Sequence, residues 1–231
     1  MAKLTSKQVS EILEVARQNG EWPNLSQANL SEIDMNGVNL SEVVMIEADL
    51  GGANLSQANL SQANLDKTNL SKTSLNQANM SGTNLSEAVL IEANLGEAEL
   101  DGANLIGAYL IETDMHKANL SRANLSGANM WEADLSGANL SGAVIWGGIL
   151  FHANLAQANL IDATLRGADL SQADLRGADL SGADLGGAIL RGAKYDDNTK
   201  WPEGFLPIDL DKYPALANTP IQEDVTISDW S

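Results

Sequence analysis

From Leu25 to Leu190 every fifth residue is Leu, Met or Ile, with no insertion or deletion. A period of five fits neither the 3.6-residue turn of an amphipathic helix nor the two-residue alternation of a strand. The chain must therefore turn about once per unit and stack its turns on one another. The residue two before each central one is Ala in most units, and the departures are mild: Ile33, Val38, Val43, Thr68, Thr73, Thr83, Thr113 and Gly148. No charged residue enters either class, so both are expected to point inward. The Ala column marks a crowded inner corner that a larger side chain would force apart.

Each unit runs Ala, Asn or Asp, Leu, Ser and a variable residue, as in Ala53-Asn54-Leu55-Ser56-Gln57, Ala123-Asn124-Leu125-Ser126-Gly127 and Ala178-Asp179-Leu180-Ser181-Gly182. Over residues 23 to 197 the chain resembles the pentapeptide repeat protein family; dozens of in-register units do not arise from composition alone. The resemblance implies an all-β fold, a right-handed quadrilateral β-helix in which four pentapeptides form the four walls of one coil. About 35 units then give close to nine coils, and at roughly 4.8 Å per coil the rod is about 42 Å tall. Neighbouring coils supply the core, so stability accumulates over coil interfaces.

The chain of 231 residues has no long Pro- or Ser-rich linker and reads as one rod with two flanks. The expected divisions are an N-terminal helical cap at 1–22, the repeats at 23–197, and a C-terminal cap and tail at 198–231. Caps are needed because an open β-helix exposes strand edges at both ends. Residues 5 to 19 predict an amphipathic helix, with Thr5 and Gln8 as a capping box, Val9, Ile12, Leu13 and Ala16 on one side, and Gly20 as the stop. Trp22 and Pro23 then lead into the first coil. At the other end Tyr195 takes the central slot, and Tyr195, Trp201 and Phe205 are expected to fold over the last coil. Residues 206–231 hold Leu206, Ile208, Leu210, Tyr213, Leu216, Ile221, Val225, Ile227 and Trp230 without a clean period. An extended strap and a partly disordered tail both fit that pattern.

Composition removes several classes of function. There is no cysteine, hence no disulfide framework and no thiolate zinc site. The N-terminus lacks the apolar core of a secretory signal and no stretch approaches the length of a membrane span, so the expected location is the cytoplasm. A formal net charge of −18 opposes binding to a polyanion. His116 and His152 fall on different faces, far apart along the repeat, and do not make a shared site. The carboxylates sit on the outside of a filled rod with no concave pocket to desolvate them. The expectation is a protein with no catalytic residues, no cofactor and no metal. Met35, Met45, Met80, Met115 and Met130 occupy central slots and are core filler, and many Asn-Leu-Ser triplets match a glycosylation pattern only because Asn and Ser are repeat residues.

Adding twenty to a residue number moves up one coil on the same wall under the four-unit rule. One wall is plain: Asn39, Asn59, Asn79, Asn119, Asn139 and Asn159 precede the core residue, and Ser41, Ser61, Ser81, Ser121 and Ser141 follow it. These read as polar ladders with rungs about 5 Å apart. The wall centred on Leu90, Leu110, Met130 and Leu150 differs. Its column after the core runs Ile91, Ile111, Trp131, Phe151, its column before the core runs Val89, Tyr109, Asn129, Ile149, and around the preceding corner lie Ile106, Val144 and Trp146. Such a cluster exposes on the order of 600 Å² of apolar area, as much as a monomer usually leaves in water. Beside it the corner column reads Glu92, Glu112, Glu132, His152, an acidic rim suited to a partner whose apolar patch is bordered by Lys or Arg. The candidate partner-binding residues are therefore Val89, Ile91, Glu92, Ile106, Tyr109, Ile111, Glu112, Trp131, Glu132, Val144, Trp146, Ile149 and Phe151. Three occupants are compatible with them: a foreign protein, a second copy of the chain, or the chain's own C-terminal tail.

The function this implies is a non-enzymatic protein–protein interaction scaffold. The family resemblance brings two further expectations. Some pentapeptide repeat proteins imitate DNA and modulate type II topoisomerases such as gyrase, and others are held to be regulatory scaffolds in photosynthetic bacteria. A duplex about 42 Å long carries roughly 25 charges, and the repeats here hold twenty acidic residues. Those acids are spread over several walls and interrupted by Lys67, Lys72, Lys117, Arg122, Arg166, Arg176 and Arg191. The chain also uses Leu where gyrase-directed members often have Phe.

Overall fold

The computed structural model describes residues 3–205 and 207. It is a right-handed quadrilateral β-helix with one helix packed under its first coil. Bridging is regular: the residue before each central one pairs in parallel with its equivalents one coil below and one above, as Asn39, Asn59 and Asn79 do. Four faces result, here numbered 1 to 4 by their first central residues Leu25, Leu30, Met35 and Leu40. The central residues and the Ala column fill the interior, with only end positions such as Val38 and Leu190 partly buried; Leu40, Leu60, Met80, Leu100, Leu120 and Leu140 of face 4 are all at 0% exposure.

The threonines of the Ala column are buried too, and each hydroxyl finds a backbone acceptor. Thr68, Thr73, Thr83 and Thr113 donate to the carbonyls of Met45, Leu50, Leu60 and Leu90 at 2.7–2.9 Å. A buried hydroxyl is tolerated when it is bonded in this way.

Corners are β-turns closed by bonds such as Ala58 N–H to Leu55 O at 3.0 Å. The last residue of each unit lies in the left-handed region, which the third position of a type II turn requires. Glycine suits that slot, yet twenty of these corner residues are not glycine, with φ between 53° and 61°. Outward, long side chains such as Gln57 and Lys67 therefore sit where L-residues are normally disfavoured. What holds them is a further bond from their own N–H to the coil above, as from Gln57 to Asn76 O at 3.0 Å.

The two ends are closed differently. Helix α1, Ser6–Gln18, starts with the expected Thr5–Gln8 capping box and buries Val9 and Leu13. It stops in a Schellman arrangement, with Glu21 N–H to Ala16 O and Gly20 N–H to Arg17 O, and Gly20 at φ 72°. The cap also receives the downward carbonyls of the first coil: Leu4 N–H meets Asn29 O, Ser6 Oγ meets Asp34 O, and the Arg17 guanidinium meets Asn39 O. Pro23 is buried and accepts from Val44, whereas Trp22 stands exposed. At the C-terminal end Lys194 and Lys200 bridge to Asp174 and Asp179 on faces 3 and 4. Tyr195 meets Trp201 edge-on at 5.4 Å, and Trp201 stacks on Phe205 at 5.2 Å. The expectation of a strap or disordered tail at 206–231 falls, apart from Pro207, outside the described residues.

Candidate protein-binding surface

One hydrogen bond explains why Asn or Asp precedes most central residues, the exceptions outside the candidate surface being Val44, Ser74, Glu99, Thr164 and Ile189. In the unit Asn59 to Ala63, four of the five backbone N–H groups reach backbone carbonyls: Asn59 to Val38, Leu60 to Asn79, Gln62 to Ser81 and Ala63 to Leu60. The fifth, Ser61 N–H, has no carbonyl in reach and is taken by Asn59 Oδ1 at 3.1 Å. That Asx contact recurs along the rod, for example from Ser31 to Asn29, Ser121 to Asn119 and Ser181 to Asp179. On face 4 the amides also link coils, Asn59 to Asn39, Asn139 to Asn119 and Asn159 to Asn139 at 3.1–3.3 Å.

The candidate surface gives this bond up. Val89, Tyr109, Val144 and Ile149 stand where the Asx acceptor belongs, so the N–H groups of Ile91, Ile111, Trp146 and Phe151 have no acceptor among the described residues. Asn129 and Asn104 keep the pattern there, accepting from Trp131 N–H at 3.2 Å and from Ile106 N–H at 3.3 Å. An apolar residue in this slot thus does nothing for the coil, and four of them cluster on two adjoining faces.

The structure brings the sequence-predicted residues together around the corner between faces 1 and 2. Face 1 contributes Ile106, Val144 and Trp146; face 2 contributes Val89, Tyr109, Ile149 and, after the core, Ile91, Ile111, Trp131 and Phe151. Six are openly exposed, led by Trp146 at 62% and Tyr109 at 48%, with Ile106, Ile149, Trp131 and Val144 between them and 36%. Val89, Ile91, Ile111 and Phe151 are half-buried. Columns of stacked side chains shield one another, and the Phe151 ring also meets the His152 ring edge-on at 4.4 Å. Glu92, Glu112 and Glu132 are exposed on the far corner of face 2, with φ of 54–56°. The corner between faces 1 and 2 is instead bare: Gly107, Gly127 and Gly147 stack there.

Two features were not foreseen from the sequence. Ile189, 45% exposed, lies two coils above Ile149 on the same column, and Ile161 is exposed on face 4. Adding twenty twice to Ile149 would have found the first. The second concerns Gly148, whose missing Cβ would lie 2.9 Å from Ile145 Cγ2. Ile145 is the β-branched central residue beneath Trp146, and Gly148 makes room for its extra methyl.

Several of the acids are neutralised in place. Lys67 pairs with Glu87, Lys72 with Glu92, Arg122 with Asp101 and Arg176 with Asp174. The Arg122 guanidinium, with Ser121, holds the Asp101 carboxyl below its usual range, and Lys200 with Ser181 pulls Asp179 down to about 2. His116 Nδ1 lies 2.7 Å from Asp114 Oδ1, apart from His152 on face 2. Shallow hollows flank α1, one lined by Leu13, Arg17 and Val38 and another by Leu4, Ile12, Val15 and Trp22, without a convergence of ionisable groups that would suggest chemistry. Among the described residues no three His, Asp or Glu side chains are grouped to hold a metal ion, and no helix is long and apolar enough to cross a membrane.

The profile of the family Pentapeptide repeats (8 copies) matches residues 24–62, 53–90, 88–127, 118–155 and 153–192. The chain belongs to the pentapeptide repeat family. Solved structures similar to it include HetL, a pentapeptide repeat protein involved in heterocyst differentiation regulation from the cyanobacterium Nostoc sp. strain PCC 7120. HetL is 31% identical over 84% of this chain and 95% of its own, with a TM-score of 0.25. A second pentapeptide repeat protein from Nostoc PCC 7120 is 42% identical over 43% of this chain and 79% of its own, TM-score 0.40. QnrB1, a plasmid-mediated fluoroquinolone resistance protein, is 21% identical over 75% of this chain and 90% of its own, TM-score 0.43. Comparison with curated proteins returns no match. Pentapeptide repeat proteins are in general structural or interaction proteins, not enzymes.

Proposed function

We propose that this pentapeptide repeat protein is a non-enzymatic protein–protein interaction scaffold whose contact surface is the apolar corner of faces 1 and 2. The observation that carries this reading is the loss of the Asx acceptor at Val89, Tyr109, Val144 and Ile149. The fold gives up a hydrogen bond at each of these sites for an apolar side chain directed at solvent. Trp131, Trp146, Tyr109 and Phe151 supply the residue types that anchor interfaces, and Glu92, Glu112 and Glu132 supply a polar rim.

The test is cross-linking and mass spectrometry in extract of the producing cell, comparing wild type with Trp131→Ser/Phe151→Ser and with a face 4 control, Asn139→Ala. Partners lost from the first variant and retained by the control support the surface, provided circular dichroism is unchanged. A variant that unfolds makes these residues core and ends the proposal.

Modulation of a type II topoisomerase by DNA mimicry is the competing reading. It has less support here, because the carboxylates are shared among all four faces and interrupted by cations, as at Asp101 with Arg122 and Asp174 with Arg176. A gyrase supercoiling assay at micromolar protein tests it, and absence of any effect removes it.

A further inference from the structure

We propose that the occupant of this surface is a second copy of the chain, packed through face 2 with the two rods parallel about a twofold axis running along them. The inference rests on the reading of the apolar corner as an interaction surface and adds the partner and its orientation.

A twofold axis in the plane of contact and along the rods sets each column against its mirror column at the same height. Tyr109 then meets Ile111 of the second copy, Asn129 meets Trp131, and Ile149 meets Phe151. The corner columns meet likewise: Glu112 and Glu132 come against Gly107 and Gly127, and His152 against Gly147. Those glycines leave room for them. No atom lies within 4 Å of where a Cβ would stand on Gly127 or Gly147. The backbone does not compel glycine there, since the same slot holds Lys67 at φ 55°, Glu87 at 53° and Arg122 at 58°.

One coil lower, glycine is absent and Glu87 would face Glu92. At that height both carry a lysine from the coil beneath, Lys67 at 3.9 Å and Lys72 at 3.4 Å. The antiparallel alternative sets the Glu92, Glu112, Glu132 column against itself, an arrangement like charges oppose. Face 2 carries seven of the ten apolar residues of a patch on the order of 600 Å², so two such faces bury somewhat under about 1,200 Å² together, the size of a weak, reversible interface.

The chain has no cysteine, so single cysteines can report the geometry. Light scattering after size exclusion should give twice the 24.4 kDa chain mass for the wild type at micromolar concentration. Trp131→Ser should raise the dissociation constant roughly 30-fold or more, as loss of an interface anchor does. When Gly127→Cys and Glu132→Cys chains are mixed and oxidised, a disulfide should join one to the other, while neither variant alone cross-links.

Cross-linking of Glu132→Cys with itself would mean antiparallel rods and overturn the proposal. A monomeric wild type also overturns it while leaving the scaffold reading to its own test. If such a monomer dimerises when residues 206–231 are deleted, the tail is the occupant instead. A dimer indifferent to Trp131→Ser places the contact elsewhere and overturns this proposal, again leaving the scaffold reading to its own test.

Discussion

Faces 2 and 4 are built from the same twenty-residue coil and bury the same central Leu and Met side chains, yet their outer columns obey different constraints. On face 4, Asn139 accepts from Ser141 N–H and exchanges amide bonds with Asn119 and Asn159, so its outer residues serve the coil that carries them. On face 2, the side chains of Tyr109 and Ile149 make no hydrogen bond among the described residues and leave Ile111 and Phe151 without the acceptor. Inside the rod the faces are interchangeable; outside it face 2 keeps the Asx contact at Asn29, Asp49, Asn69, Asn129 and Asp169 and is released from it at Val89, Tyr109 and Ile149. A repeat protein makes that contrast readable, because each departure can be judged against equivalent slots a coil away.

The contrast can be broken most forcefully from within. Leu110→Ala beneath face 2 and Leu120→Ala beneath face 4 should each cost about 2–5 kcal/mol in urea unfolding, since both sites are closed and cannot collapse. A markedly cheaper Leu110→Ala would mean that face 2 does not sit on an ordinary coil. Next in size is Gly148→Ala, which drives a methyl toward Ile145 and should cost about 1–3 kcal/mol. The double variant with Ile145→Leu should recover most of that loss.

The outer columns supply the opposing pair. Asn139→Val strips Ser141 N–H of its acceptor and interrupts the ladder, and should lower stability by about 1 kcal/mol. Tyr109→Asn should do the reverse, raising stability by about 0.5–1 kcal/mol as Ile111 N–H gains an acceptor, while weakening association. A destabilised Tyr109→Asn would show that the aromatic column contributes to the fold after all.

The smallest effect is electrostatic and lies at the C-terminal coil. Asp179 is held at about 2 by Lys200 and Ser181, below the ordinary value of about 3.9. Its contribution is therefore fully present above about pH 4 and is lost as pH falls toward about 2. Hydrogen exchange at Leu180 and Lys200 should accelerate across that window, and Lys200→Ala should flatten the dependence.

Most of the fold was legible because a strict period fixes register: once Leu25 to Leu190 are placed inside, every other side chain has an assigned face. The capping box at Thr5 and Gln8 was legible for the same reason, a fixed local spacing. The surface was legible as a set of columns but not as a degree of exposure. Phe151 and Ile111 are half-buried, the Phe151 ring lying edge-on to His152, and such packing depends on rotamers that no period encodes. The left-handed corners were hidden as well, since glutamine and glutamate give no sign that they will adopt them. The role of Asn and Asp was hidden too, because it lies in one backbone N–H per unit that no carbonyl reaches, such as Ser61 N–H on Asn59 Oδ1.

The bridges also record where the rod ends. Pairs run twenty residues apart from Asn24 to Lys194, and the next, Asp179 with Lys200, runs twenty-one. One extra residue moves every later side chain off its column, so the slip acts as a stop signal for further stacking. Length in such a chain is quantised. Removing twenty residues beneath Val89 should yield a rod shorter by one coil, roughly 4.8 Å, with its apolar corner unchanged, whereas removing one residue at the same place should dissolve the corner and the core together.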